Sequence, residues 1–195
     1  MSQSPPEPPE IDGADFFIGI IAARFNGELV DTLLAHVVAK LKGLGVRQRN
    51  IEILRVPGSN EIPYAAHMLA ATSEFDCLIA LGVVVAGDTS HHDVIAYGTA
   101  YSLHSIGMQS ETPVINGILT VSSIEQARER IDPAGAHDRG AEFARAAVHM
   151  SWHKLQLVER LDALEEKSEE FDEEDDDDDD EEDDGFNPKQ IFKNN

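Results

Sequence analysis

Residues 77–93 read CLIALGVVVAGDTSHHD, an apolar run followed by a polar segment. Residues 77–86 are apolar apart from one glycine, which is typical of a strand buried on both faces of a parallel sheet. The run ends at residues 87–90, GDTS, where loop and helix-capping residues predict that a helix begins. This stretch therefore predicts an α/β fold with a buried strand in the centre of its sheet.

The corner after this strand also suggests chemistry. A glycine-containing turn at the start of a helix exposes backbone N–H groups, and together with the helix dipole these attract anions. His91 and His92 follow in the first predicted turn, where an imidazole beside an anion could transfer protons. The alternative is an ordinary turn followed by two surface histidines, and this stretch alone leaves both interpretations open.

Three further apolar runs predict the remaining strands, at residues 16–23, 51–56 and 113–121. The spacing of apolar residues, together with capping residues, predicts helices at about residues 29–41, 59–71, 91–108, 124–131 and 140–164, the fourth of them capped by Ser122 or Ser123. Strand and helix thus alternate four times, with helices long enough for crossovers. The predicted fold is a three-layer α/β sandwich, a four-stranded parallel sheet with helices on both faces.

The charge of the chain divides it into three parts. Residues 1–15 are rich in proline and acids and predict an extended arm, and residues 16–164 form the predicted domain. Of the 195 residues with a net charge of −22, residues 165–184 hold 17 acidic side chains against one lysine. We therefore predict a disordered acidic tail over residues 165–195, and we expect no nucleic-acid binding by the mildly acidic remainder. Its aromatic and basic end, residues 185–193, is either a plain terminus or a docking motif.

Cysteine content and hydropathy indicate the cellular compartment in which the protein is expected. The one cysteine, Cys77, lies in the apolar run, so no disulfide can form within the chain and a buried, inert thiol is expected. No apolar stretch is long enough to span a bilayer, and the N-terminal residues do not form a signal-peptide pattern. These features predict a soluble cytoplasmic protein that does not bind membranes.

Polar residues follow the predicted strands where ligands of open α/β sheets bind. Phe25 and Asn26 follow the first strand, Ser59, Asn60 and Glu61 follow the second, and residues 87–92 follow the third. Each of these residues alone could pack, cap a helix or interact with its dipole. Together they suggest a site for a polar, ring-bearing molecule, while Asn116 lies within the fourth strand, where it could face a neighbouring subunit.

These blocks carry a resemblance to a known family. From about residue 16 to residue 152 the chain resembles 6,7-dimethyl-8-ribityllumazine synthases, in ARFN at 23–26, VPGSNEIP at 56–63, ALGV at 80–83, GDTSH at 87–91, PVINGILT at 113–120, EQARER at 125–130 and RGAE at 139–142. Several ordered blocks at matching spacing are more specific than any one of them. The resemblance implies strands in flavodoxin-like order and a transferase of the penultimate step of riboflavin biosynthesis.

The family joins 5-amino-6-(D-ribitylamino)uracil to 3,4-dihydroxy-2-butanone 4-phosphate without a cofactor or a metal. Carried over residue by residue, the resemblance implies a catalytic His91 that moves protons. It implies substrate binding by Phe25, Asn26, Ser59, Asn60, Glu61, Val83, Val84, Val85, Asn116 and Arg139. It implies phosphate binding by Gly87, Asp88, Thr89 and, from an adjacent subunit, Arg130.

Four positions depart from the family pattern. Ala86 stands where an arginine usually precedes the phosphate-loop glycine, so one positive charge is absent there. His92 stands at a common aromatic position, which leaves either histidine as the one that faces the site. Asn116 replaces a frequent phenylalanine, and Arg139 replaces a frequent lysine with a planar fork of donors.

The resemblance also implies a homo-oligomer, a pentamer or a sixty-subunit shell, with sites between subunits. The loop at residues 131–139 and the proline-rich arm favour the free pentamer, and riboflavin synthase is a candidate partner. Two alternatives stay open beside the enzyme. One is a non-catalytic relative that binds a flavin-like molecule, suggested by Ala86 and Asn116. The other is a scaffold that acts through Phe186 and Phe192 of its tail.

Overall fold

The computed structural model describes residues 11–135 and 138–176, with side chains as far as residue 165. Most of the predicted arm, residues 1–10, and the end of the tail, including residues 185–193, lie outside the described residues. Residues 11–15 are held against the folded domain by a hydrogen bond and an ion pair. Gly13 donates its N–H to the carbonyl of Leu44 at 2.9 Å, and Arg47 pairs with Asp15 at 2.7 Å.

Four parallel strands form one sheet in the order β2-β1-β3-β4. They are β1 Ile18–Ala23, β2 Ile51–Val56, β3 Cys77–Val85 and β4 Val114–Val121. Strand β1 lies between β2 and β3, so its first residue, Ile18, lies opposite Ile51 of β2 on one side and Cys77 of β3 on the other. The order confirms the predicted parallel sheet, and all carboxyl ends lie at one edge.

Helices cover both faces of this sheet, which confirms the three-layer sandwich. They are α1 Gly27–Gly43, α2 Ile62–Ala70, α3 His91–Ser110, α4 Ile124–Ile131 and α5 Arg139–Asp176, with short 3-10 helices at Gln48–Asn50 and Ser59–Glu61. Apolar side chains of α1, α4 and the first part of α5 pack on one face, around Leu33 and Ile131. Those of α2 and α3 pack on the other face, around Ile62 and Leu103.

The central strands are buried as predicted, while the edge strands are not. Every residue of β1 is buried, and β3 is buried from Cys77 through Val84. Burial raises the pKa of the Cys77 thiol, so this group stays protonated and unreactive. On β2, by contrast, Ile53 and Leu54 are 42% and 38% exposed. Apolar side chains on an uncovered edge strand mark it as a surface that another element can cover.

The layer formed by α2 and α3 carries large exposed apolar side chains. These are Tyr64, Met68, Val94, Tyr97, Tyr101 and Met108, and the three tyrosines are the only ones in the chain. Exposed apolar surface of this extent is typical of an interface with another molecule.

Helix α5 is longer than the sequence predicted. It begins at Arg139 and continues to Asp176 instead of ending near residue 164. The added part is rich in Glu, which has a high intrinsic helix propensity. The chain forms two compact units, one that ends at Leu155 and a second that begins at Gln156. Among the described residues, no helix is long and apolar enough to cross a membrane.

Candidate active site

A cleft of about 430 Å³ opens beyond the carboxyl ends of β1, β2 and β3. It is lined by Phe25, Asn26, Gly58, Ser59, Asn60, Glu61, Val83, Val84, Val85, Gly87, Thr89, His91, His92 and Ile95. Eleven of the fifteen predicted site residues are among them, so separate parts of the sequence meet at this edge of the sheet, as the parallel topology requires.

The segment after β1 is fixed by backbone hydrogen bonds. Arg24 donates its N–H to the carbonyl of Val56 at 2.8 Å, and Phe25 donates to Pro57 at 3.0 Å. The Phe25 ring is 71% exposed at the cleft, so a flat ligand could stack on it. Asn26 has a left-handed backbone (φ 56°), and its Nδ2 donates to the carbonyl of Val83 at 2.8 Å. Its amide therefore joins the end of β1 to β3, which leaves its Oδ1 and the second N–H of its Nδ2 to meet a ligand.

The segment after β2 depends on two glycines. Ser59 is buried, and a Cβ built on Gly82 would lie 2.4 Å from its Oγ. A Cβ on Gly58 would lie 2.9 Å from Oε2 of Glu61. The glycines thus leave room for the hydroxyl and the carboxylate that the sequence predicted as ligands. A glycine inside an otherwise apolar strand was the available signal for Gly82.

The segment after β3 offers unpaired backbone donors. Among the described residues, no backbone carbonyl accepts a hydrogen bond from the N–H of Gly87, Asp88 or Thr89. These residues precede α3, a 20-residue helix whose N-cap, Ser90, makes no side-chain capping bond. Free N–H groups at the start of a long helix form a site for an anion such as a phosphate.

The two histidines are in different surroundings. The imidazole of His92 donates from Nδ1 to the carbonyl of Thr89 at 2.9 Å, and its Nε2 lies 3.5 Å from Oδ1 of Asp93. His91 is exposed at the cleft, and no side chain or carbonyl of the described residues bonds its ring. The family resemblance favoured His91 as the one that faces the site, with His92 as the alternative. Both do, but only His91 has both ring nitrogens available.

Four predicted site residues do not line this cleft in the described part of the chain: Asp88, Asn116, Arg130 and Arg139. Asn116 lies in β4, where its Oδ1 accepts from the N–H of Ile118 at 3.1 Å. Arg139, at the start of α5, pairs with Glu142 at 2.6 Å, and its buried Nε has no partner. Arg130 lies on α4. Within the described part of one chain, neither arginine lines this cleft.

Ile95 lines the cleft without having been predicted as a site residue. It lies four residues after His91 on α3, so the helical repeat places both on one side of the helix. That repeat was the available signal, but an isoleucine in a helix more often packs in a core than lines a ligand site. Among the described residues, no three His, Cys, Asp or Glu side chains are grouped so that they could hold a metal ion.

Comparison with known proteins agrees with this geometry. The family model described as 6,7-dimethyl-8-ribityllumazine synthase matches residues 15–154. The chain belongs to this family. Curated 6,7-dimethyl-8-ribityllumazine synthases share 36–39% identity with it. That of Cupriavidus pinatubonensis is 39% identical over 160 residues, 82% of this chain and 90% of the relative. That of Nitrosomonas europaea is 38% identical over 158 residues, 81% and 91% of the two chains.

The lumazine synthase match contains the whole cleft as well as Arg130 and Arg139. It ends at residue 154, close to the end of the first structural unit at Leu155. The rest of α5 and the acidic segment therefore lie beyond the part of the chain that defines the family.

Proposed function

We propose that the cleft at the strand ends is an active site that condenses 5-amino-6-(D-ribitylamino)uracil with 3,4-dihydroxy-2-butanone 4-phosphate. The products are 6,7-dimethyl-8-ribityllumazine, inorganic phosphate and water. The observation that carries the proposal is one cleft lined both by the exposed Phe25 ring and by Gly87 and Thr89, whose N–H groups have no backbone partner among the described residues, in a chain of the lumazine synthase family.

The cleft divides into two subsites. Phe25 would stack on the pyrimidine ring, with the backbone groups of Val83, Val84 and Val85 lining its pocket. Ser59, Asn60 and Glu61 would bind the hydroxyls of the ribityl chain, the carboxylate as an acceptor. Asn26 would contribute its Oδ1 as an acceptor and the second N–H of its Nδ2 as a donor, because the first N–H bonds Val83.

The phosphate group would bind at residues 87–89, whose N–H groups meet no backbone carbonyl in the described part of the chain. The substrate amine attacks the ketone carbonyl, and loss of water gives an imine. Phosphate then leaves, and attack of the ribityl-bearing nitrogen closes the ring with loss of a second water. Holding two substrates together is worth about 7–11 kcal/mol of the barrier. Proton transfer by the exposed His91 adds about 10²–10⁴-fold.

The proposed active form is a homo-oligomer, with a pentamer favoured. The exposed apolar side chains of α2 and α3 support association. Arg130 and Arg139 would reach the phosphate and pyrimidine subsites of a neighbouring subunit. The reducing cytoplasm suits a chain with a single buried thiol, and riboflavin synthase is a proposed partner because it would use the lumazine released here.

Turnover by the purified protein is the first test. With both substrates present, we expect lumazine absorbance to appear together with one released phosphate per product. The matched control is Glu61→Gln, which keeps the size of the side chain but removes its charge and should raise the KM of the ribityl substrate. A folded oligomer that binds a ribityl-pyrimidine but forms no product would instead favour the non-catalytic relative, with Ala86 as the first residue to restore to arginine.

Sharing of sites between subunits has a separate test. His91→Ala and Arg130→Ala chains are assembled separately and as a mixture, and turnover is measured at low concentrations of the phosphorylated substrate. If Arg130 acts across an interface, each site takes His91 from one subunit and Arg130 from its neighbour. Random mixing should then leave both residues intact in about a quarter of the sites. No recovery in mixed oligomers would contradict this assignment.

A further inference from the structure

The loop formed by residues 87–89 is held at its two ends. Before the loop, Ala86 donates its N–H to the carbonyl of Val121 at 2.8 Å. After it, the carbonyl of Ser90 accepts from Asp93 at 3.1 Å and from Val94 at 3.2 Å, which begins α3. Packing does not fix the first residue, because no atom of the described residues lies within 4 Å of a Cβ built on Gly87.

Between these two ends, one hydrogen bond holds the backbone of the described loop. It is the bond from Nδ1 of His92 to the carbonyl of Thr89, at 2.9 Å. A carbonyl oxygen only accepts, so Nδ1 carries the hydrogen. The side chain of His92 is itself restrained, with 21% exposure and its Nε2 3.5 Å from Asp93.

This bond fixes the orientation of a whole peptide unit. The peptide between Thr89 and Ser90 is planar and trans, so its carbonyl and the N–H of Ser90 point in opposite directions. With the carbonyl held towards His92, the N–H of Ser90 is held away from it. The His92 imidazole thus sets the direction of the Ser90 N–H, the donor that directly follows the N–H groups of residues 87–89.

We propose that His92 is a positioning residue for the phosphate group of the substrate: by holding the Thr89 carbonyl, it keeps the loop of residues 87–89 and the Ser90 N–H in the phosphate-binding conformation. The inference rests on the proposed function of the cleft, and it separates His92 from the proton transfer assigned to His91. Residue 86 is alanine and supplies no charge, so phosphate binding depends all the more on the backbone of this loop.

The test compares three substitutions at residue 92 in the full-length oligomer. His92→Ala and His92→Phe remove the donor, and Phe also keeps a ring of similar size. His92→Asn places an amide Nδ2 at the branch position of the imidazole Nδ1, so it can bond the same carbonyl. The matched control is His104→Ala, which removes an exposed histidine of α3 that does not line the cleft.

We expect His92→Ala and His92→Phe to raise both the KM of the phosphorylated substrate and the inhibition constant of inorganic phosphate about five- to tenfold, the effect of losing one hydrogen bond. The KM of the ribityl substrate and the pH profile of kcat should not change. His92→Asn should restore most of the phosphate affinity, and the control should match the unmodified protein.

Three results would overturn the inference: equal inhibition by phosphate in the His92→Ala and unmodified proteins, equal loss for both substrates, or a displaced pH profile of kcat, which would make His92 a proton carrier. These outcomes are distinct from failure of the proposed function, which is absence of turnover in the unmodified protein. In that case calorimetric titration with inorganic phosphate still compares the variants, and unchanged affinity would again overturn the role of His92.

Discussion

His91 has no hydrogen-bond partner among the described residues and faces the cleft, so it is the side chain free to move protons. We predict that His91→Ala lowers kcat about 10²-fold or more and changes the KM of either substrate little. Steady-state kinetics with each substrate varied in turn measure both quantities. If kcat is unchanged while His92→Ala lowers it, the two histidines have been assigned the wrong way round.

Gly82 leaves space for Ser59 against β3. A Cβ at this position would lie 2.4 Å from the serine Oγ and 3.3 Å from its Cβ, so rotation of the hydroxyl alone would not relieve the contact. We predict that Gly82→Ala lowers the free energy of unfolding by about 1–3 kcal/mol and raises the KM of the ribityl substrate. Urea unfolding measures the first effect, with Gly43→Ala, which meets nothing within 4 Å, as the control.

The sequence identified most cleft residues because each follows a strand, and parallel strands end at the same edge of a sheet. It did not reveal that the Asn26 amide would bond Val83 or that His92 would bond Thr89. Such bonds depend on the final path of the loops, which apolar spacing does not encode. The arginines were found only through the family resemblance, because Arg130 does not line the cleft in the described residues of one chain.

At the scale of elements, Ser123 is the N-cap of α4, and the sequence had left Ser122 as the alternative. Its Oγ accepts from the N–H of Gln126 at 3.2 Å, while the Gln126 side chain accepts from the N–H of Ser122 at 2.8 Å. We predict that Ser123→Ala lowers the free energy of unfolding by about 1 kcal/mol, while Ser123→Asp, which keeps a cap, changes it little. Equal denaturation midpoints for the Ala and Asp variants would contradict this role.

The same cap affects Glu125. A hydrogen bond from its own backbone N–H and one from Ser123 lower the pKa of this carboxyl. Its ionised form therefore stabilises the fold above the unfolded pKa of about 4.3, and this contribution is lost as the pH falls through the lower folded pKa. We predict that Ser123→Ala raises the pKa of Glu125, which an NMR titration of the carboxyl carbon measures. An unchanged titration midpoint would show that the backbone bond acts alone.

The elements themselves were largely predictable. Strand β2 has the bounds that the sequence indicated, and the buried run that became β3 lies in the centre of the sheet. The turn at Ser59–Glu61 was predicted as the start of α2 but forms a 3-10 helix. The end of α5 was also missed, because charge repulsion and helix propensity oppose each other there and spacing does not decide between them.

At the scale of the whole molecule, the acidic segment lies beyond the family match, the cleft and the first structural unit. We predict that deleting residues 165–195 leaves turnover and the oligomeric state unchanged. Light scattering and steady-state kinetics of the shortened protein test both. Loss of turnover from a folded oligomer would show that the tail takes part in catalysis, and dissociation would show that it takes part in assembly.

The exposed layer of α2 and α3 contains every tyrosine of the chain, and this makes its coverage measurable. Its three tyrosines, Tyr64, Tyr97 and Tyr101, are 73%, 76% and 79% exposed, and the one tryptophan, Trp152, lies on α5. Nitration of the phenol rings would therefore report solely on whether this layer is covered, while indole fluorescence reports on a different element. The native chain thus carries two separate optical probes, and subunit association can be followed without attaching a dye.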